Sequence, residues 1–240
     1  MVEGIGKIAL DFCGRGGKRL RPRLCRAVFE AARPAVVPCH FETNSAGRID
    51  DVCEAVECFH KASLIHDDIQ DCDEERYGRP TVWKEHGVAL AIAAGDWLVA
   101  HGYGLIVNSG FPNALEMMKA TVRSHIALCE GQGDDLMGGA GLPAALRMRS
   151  GAERYVSVCE RKTGEGFALA AELGALAAGA DGAPYRRYGL DFGVLFQVRD
   201  DIADGDAPEG AAALEGRLAR ELESTDVART LGAWFERGRR

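Results

Sequence analysis

The sequence has no C-x-x-C pair, no charged-then-apolar leader at its start, and no unbroken apolar run of membrane-spanning length. Its eight cysteines are scattered through helical patterning, so neither a disulfide framework nor a cysteine metal knuckle is expected. Cys53, Cys58 and Cys72 read as small, reduced, half-buried residues. Two candidate membrane runs are each interrupted, 88–100 by Asp96 and 168–180 by Glu172, and no transmembrane segment is expected. Positive charge is in short supply: at a net charge of −7 the chain offers nothing to a nucleic-acid partner. Alternating β-branched runs, hairpin dipeptides between such runs and a fixed-period repeat are also missing. These absences leave a cytoplasmic, all-α protein.

What is present is helical pattern. With 47% hydrophobic and 27% charged residues, 1–240 reads as a single domain with one substantial core. A short lead-in, 1–13, precedes a glycine-rich basic loop and a helix over 21–32. Pro34, Pro38 and Asn44 mark a connection. A strong helix over 50–70 places Val52, Ala55, Val56, Phe59, Ala62 and Leu64 at apolar spacing. A charged loop, 72–80, leads to a second long helix over 88–107, whose Gly95, Gly102 and Gly104 allow close helix contacts. A third helix runs from Pro112 to about 136, followed by a glycine and proline break at 138–143. The stretch 144–178 reads as helix with an interruption near 164–166. Pro184 opens another helix, and one last amphipathic helix is expected from 208 to about 235. The fold class is a helical bundle with its site between helices.

Two acidic clusters stand out. Asp67 and Asp71 in HDDIQD are four apart, on one helical face, with Asp68 beside them. FQVRDDIAD repeats the spacing at Asp200, Asp201 and Asp204. Carboxylates this close repel one another unless a divalent cation lies between them, and Mg²⁺ completes its shell with phosphate oxygens and water. A calcium loop starting at Asp71 is excluded, because its sixth position is Arg76 where glycine is needed. The local basic run Arg15, Lys18, Arg19, Arg21, Arg23, Arg26, with its glycine pair, reads as a diphosphate grip.

In order along the chain come GGKRLRP from Gly16, Glu57 and His60 before HDDIQD, and Arg76-Tyr77-Gly78 with Pro80 and Thr81. Then follow AAGDWL around Asp96, EGQGDD with Gln132 and Asp135, KTG at Lys162, and FQVRDDIAD. This ordered set resembles the all-trans polyprenyl diphosphate synthases of the farnesyl and geranylgeranyl diphosphate synthase kind. The resemblance implies a large helical bundle with a central cavity, a homodimer, and condensation of an allylic diphosphate with isopentenyl diphosphate. It places two magnesium ions on Asp67 and Asp71, with Asp68 close by, and a third on Asp200 with Asp204 as a further candidate. Asp135, Thr163 and Gln197 would support the metal shell or the cation, and Asp68 and Asp201 would orient ligands. Arg76 and Lys162 would grip the allylic diphosphate, and Lys18, Arg21 and His60 the second substrate. The departing diphosphate would take the proton. Ala62 and Ser63, one turn below Asp67, are small, so chain growth is expected to pass them and stop at Phe59, near twenty carbons.

Two departures from the family pattern matter. Tyr77 stands where a second arginine is usual, which predicts weaker isopentenyl diphosphate binding. The part after Asp204 is reduced: its 36 residues hold no lysine, and Arg217 and Arg220 are its first cations. Two other functions fit these departures. One is a non-catalytic partner subunit or decayed homologue. The other is a prenyl-cation enzyme with a different acceptor, such as a terpene cyclase or peptide prenyltransferase.

Overall fold

The computed structural model describes residues 4–33, 45–137 and 151–231, the side chains at 45–47 and 152 excepted. The expected connection at 34–44, the break at 138–143 with the start of the next helix, and the end of the last helix lie outside the described residues. The chain runs through α1 (Ile5–Gly14), α2 (Leu20–Ala32), α3 (Ser45–Gln70), α4 (Val82–His86), α5 (Val88–Asn108) and α6 (Ala114–Leu136). It continues through α7 (Gly151–Cys159), a π turn (Glu160–Gly164), α8 (Glu165–Ala177), α9 (Gly182–Asp204), α10 (Ala211–Glu223) and α11 (Asp226–Leu231).

α3 and α8 are the inner helices, and each buries more than one face. α3 sends Val52, Val56 and Phe59 into a core group with Phe29 of α2, Met117 of α6 and Leu173 of α8. Cys58, Ala62 and Ile65 meet a second group built from α1, α4 and α5. A third group joins α2, α8, α9, α10 and α11 around Phe167, Tyr188 and Phe192. α8 is apolar nearly all round, which marks a central helix. Its small residues set the spacing: a Cβ on Gly174 would stand 2.3 Å from the Cys25 carbonyl oxygen, so α2 lies directly on it. The two carboxylates that break its apolar run are buried and paired, as buried charges must be. Glu165 meets Arg186 at 2.8 Å and accepts from Ser124 Oγ at 2.6 Å, while Glu172 pairs with Arg123.

Two local differences from the sequence reading have clear causes. The terminal amphipathic pattern is two helices, because Thr225 Oγ1 accepts from the Ala228 amide at 3.0 Å and starts α11 anew. The loop at 72–80 folds back as a two-residue antiparallel ladder, β1 (Glu75–Arg76) and β2 (Arg79–Pro80). Its turn residues Tyr77 (φ 56) and Gly78 (φ 70) both take the left-handed conformation that two-residue hairpins demand. A Tyr-Gly pair gives no such signal in sequence.

Among the described residues only α5 is long and apolar enough to cross a membrane. It buries Ala91, Ala94, Leu98 and Ile106 in the protein core.

Candidate active site

A cavity of about 700 Å³ opens between α2, α3, α6, the π turn and α9. Residues of both acidic motifs line it: Asp67 from α3, and Asp200 and Asp201 from α9. Opposed to them are Lys18 and Arg21 from the basic loop and α2, and Lys162 from the π turn. His60, Tyr77, Asp135, Tyr155, Thr163 and Gln197 also belong to the polar wall. Leu64, Leu128, Phe167 and Phe196 form an apolar part.

Burial raises the Asp67 pKa; Lys162 opposes that rise and the neighbouring Asp71 adds to it. Asp68 points the other way. Its carboxylate is fully buried and paired with Arg76, whose guanidinium also reaches Asp73 at 3.5 Å. One Asp68 oxygen, Oδ2, has no hydrogen-bond partner. Arg76 therefore ties the hairpin to α3 and is absent from the cavity lining. Asp71 and Asp204 are exposed and are not in the lining. Phe59 is also outside the lining. It lies one turn before Ser63, edge-on to His125 at 4.4 Å, in space that Gly102 leaves open: a Cβ there would be 2.4 Å from the Phe59 ring.

The opposite wall depends on the π turn. Its wider winding interrupts the helix at Glu160–Gly164, just ahead of the break expected near 164–166, and such turns concentrate at functional sites. Gly193 of α9 lets it dock closely, because a Cβ there would stand 2.6 Å from the Gly164 Cα. This close docking sets Thr163 beside Gln197, one turn along α9. Thr163 Oγ1 donates to Gln197 Oε1 at 2.6 Å, and Gln197 Nε2 donates to Asp201 Oδ1 at 2.7 Å. The Tyr155 hydroxyl donates to the other Asp201 oxygen. Lys162 reaches Asp135 at 2.6 Å, so α6 and the π turn share an ion pair in the cavity lining.

At the basic end, Arg21 lies 4.4 Å over the Phe167 ring and 3.2 Å from His60 Nε2. Burial lowers the Arg21 pKa to about 10. Burial, then Arg21, Lys61 and Arg76, hold His60 well below the usual histidine range, so it is neutral and accepts from Arg21. Glu57, buried beneath them, has its pKa raised by burial.

Sequence reasoning missed Lys61, Tyr155 and the apolar wall. Lys61 carried a signal: it shares a helical face with apolar Cys58 and Ile65, three before and four after it. A separate cluster of Cys13, Glu54 and Cys58 is not part of the cavity lining. Arg19 occupies Glu54 at 2.6 Å, and contact with Cys13 and burial push the Cys58 thiol up.

Fold and site together define an all-α protein whose cavity sets clustered carboxylates against cationic side chains. The polyprenyl synthetase family model matches residues 2–212, and the chain belongs to that family. It is 33% identical over 212 residues to a geranylgeranyl diphosphate synthase of Methanosarcina mazei, covering 86% of this chain and 60% of that one. It is 32% identical over 203 residues to heptaprenyl diphosphate synthase component 2 of Geobacillus stearothermophilus, covering 83% and 58%. The chain thus spans about three-fifths of the length of these curated relatives. The crystal structure of a geranyltranstransferase from Thermotoga maritima superposes with a TM-score of 0.79 at 26% identity, covering 97% of this chain and 88% of that one.

Proposed function

We propose that this chain is a magnesium-dependent prenyltransferase that condenses an allylic diphosphate with isopentenyl diphosphate to an all-trans prenyl diphosphate. One observation carries the reading: Asp67 and Asp200, from motifs far apart in sequence, line a single cavity with Lys18, Arg21 and Lys162. Charge of both signs around one space suits a diphosphate held through metal.

The donor set fits magnesium, a hard cation that takes carboxylate oxygens. Asp67 would hold it on one side and Asp200 on the other, with Asp135 of the lining and exposed Asp71 and Asp204 as further ligands, to a total of three ions. Bound magnesium would neutralise the diphosphate as it leaves. Lys162 would grip that diphosphate from the π turn. The oxygen dipoles of Thr163 and Gln197, fixed by their hydrogen bond, would face the allylic cation, a preorganised electrostatic arrangement. Lys18, Arg21 and neutral His60 would seat the second diphosphate. The proton released would pass to the departed diphosphate. Phe59, beneath Ser63 and backed by Tyr103 and His125, would close the hydrocarbon end, favouring a product near twenty carbons. The protein would act in the cytoplasm as a homodimer.

A second reading, one chain of a two-component synthase, is favoured by the similarity to a relative named as a component. The test is purified protein with Mg²⁺, isopentenyl diphosphate and each allylic primer, with products dephosphorylated and identified. Turnover by the chain alone is expected. Asp67→Asn and Asp200→Asn should each reduce it by about 10²-fold or more while the helical circular dichroism is kept. Near-normal activity in either variant would falsify the metal assignment, and turnover only after a partner is added would support the two-component reading.

A further inference from the structure

Lys61 is the only described lysine with no exposed surface. Its stem rises from α3 through the core group shared with α1, and its ammonium emerges directly under the basic loop. There it donates to the Arg15 carbonyl and, at 3.1 Å, to the Gly16 carbonyl. The Tyr77 ring lies over it, with the ammonium 4.3 Å from the ring centre. The same ring covers the glycine pair. A Cβ on Gly16 would stand 2.7 Å from Tyr77 Cγ, and one on Gly17 would stand 3.3 Å from the hydroxyl and 3.6 Å from the ammonium. Only glycine lets loop, ring and cation meet this closely.

The backbone here is strained. Arg19 (φ 48) and Tyr77 (φ 56) join Gly16 (φ 41) and Gly17 (φ 90) in the left-handed region, which is costly for non-glycine residues. Burying an ammonium is costly as well. What both costs secure is the direction of two peptide planes. In a trans peptide the carbonyl and N–H point in opposite directions. With the Arg15 and Gly16 carbonyls turned onto Lys61, the Gly16 and Gly17 N–H groups point away from it. Among the described residues no hydrogen bond uses the amides of Gly16, Gly17 or Lys18. Gly17 and Lys18 line the cavity. Successive free amides in a left-handed turn make an anion-binding concavity.

We propose that Lys61 is a positioning residue for this loop: clamped beneath the Tyr77 ring, it turns the Arg15 and Gly16 carbonyls inward and so aims the Gly17 amide and the Lys18 ammonium at the diphosphate of the second substrate. The assignment of that diphosphate rests on the prenyltransferase reading. Tyr77 is then the cap of a buried cation, and the positive charge expected beside the loop comes from α3 instead of the hairpin.

The experiment compares the full chain with Lys61→Met, Lys61→Arg and Tyr77→Ala. In Lys61→Met the KM for isopentenyl diphosphate should rise about tenfold, the scale of a lost charge-assisted hydrogen bond. The kcat and the allylic KM should move by less than about twofold. Lys61→Arg, which can still donate to both carbonyls, should recover most of the loss. Backbone hydrogen exchange over 15–19 should quicken in Lys61→Met and not in Lys61→Arg. An unchanged isopentenyl KM, or a parallel change in kcat and both Michaelis constants, overturns the proposal. If Lys61→Met does not fold, Tyr77→Ala decides it alone: its side chain is exposed, and the same selective rise in KM is required. If the wild-type chain does not consume isopentenyl diphosphate, the prenyltransferase reading falls by itself. Calorimetry with inorganic diphosphate, without divalent metal, then tests the clamp. Binding about tenfold weaker in Lys61→Met supports it, and equal affinity overturns it.

Discussion

At the scale of single residues, the site is governed by which charges are paired inside the fold and which are left for a ligand. Asp68 pairs with Arg76 below the hairpin, whereas Asp67, one residue away, lines the cavity. Arg79, which could have replaced the missing arginine at Tyr77, is exposed and reaches towards Asp11 at 3.7 Å. Lys61 lies under the Tyr77 ring instead, its ammonium 4.3 Å from the ring centre. His125 gives a testable pH dependence. Burial pushes its pKa down from 6.5 to about 4, with Nδ1 2.6 Å from the Tyr103 hydroxyl. Above pH 6.5 folded and unfolded chains both hold it neutral, and it adds no slope. As the pH falls from 6.5 to about 4 only the unfolded chain takes up the proton, so stability drops through that window and levels off below it. The total is about 3 kcal/mol. Denaturation curves from pH 7 to pH 4 should show His125→Gln losing less stability than wild type; parallel loss would remove His125 as the source.

At the scale of elements, glycine decides how closely helices approach, and that approach sets the register of the site. A Cβ on Gly189 of α9 would lie 2.5 Å from the Phe167 carbonyl oxygen, a backbone atom that cannot swing aside. Gly189→Ala should therefore destabilise the protein by about 1–3 kcal/mol, the usual cost of overpacking. Gly104, in α5, would meet nothing within 4 Å. Gly104→Ala should gain about 0.5–1 kcal/mol through helix propensity. Urea titrations of the two variants check this pair, and equal effects would show that the α8–α9 contact is looser than described. Because Gly193 docks on Gly164 in the same interface, separating these helices also pulls Thr163 away from Gln197 and weakens that wall.

At the scale of the whole molecule, the outer side of α5 and α6 is unusually apolar. Leu90, Ile92 and Val107 of α5 and Leu115, Val122 and Ile126 of α6 are all exposed. The proposed homodimer would place its contact on this exposed apolar face. Under the homodimer reading, the double variant Leu115→Glu with Ile126→Glu should sediment as a monomer where wild type sediments at twice that mass. Wild-type protein that is monomeric at micromolar concentration would remove the dimer.

The sequence alone determined the helical class, because apolar periodicity and the absence of strand pattern are local properties. It also held the two acidic motifs, since a spacing of four puts Asp67 with Asp71, and Asp200 with Asp204, on one face. Tertiary structure decided the rest. It selected Asp67 over Asp68 for the cavity, because one residue along a helix is about 100° of rotation, and only packing tells which direction is inside. It turned Arg76 onto Asp68, moved Phe59 behind the lining, and brought Tyr155 to Asp201 across 46 residues. It also gave Lys61 its place, because the carbonyls that hold a buried ammonium lie on a loop 45 and 46 residues earlier, and no helical period connects them.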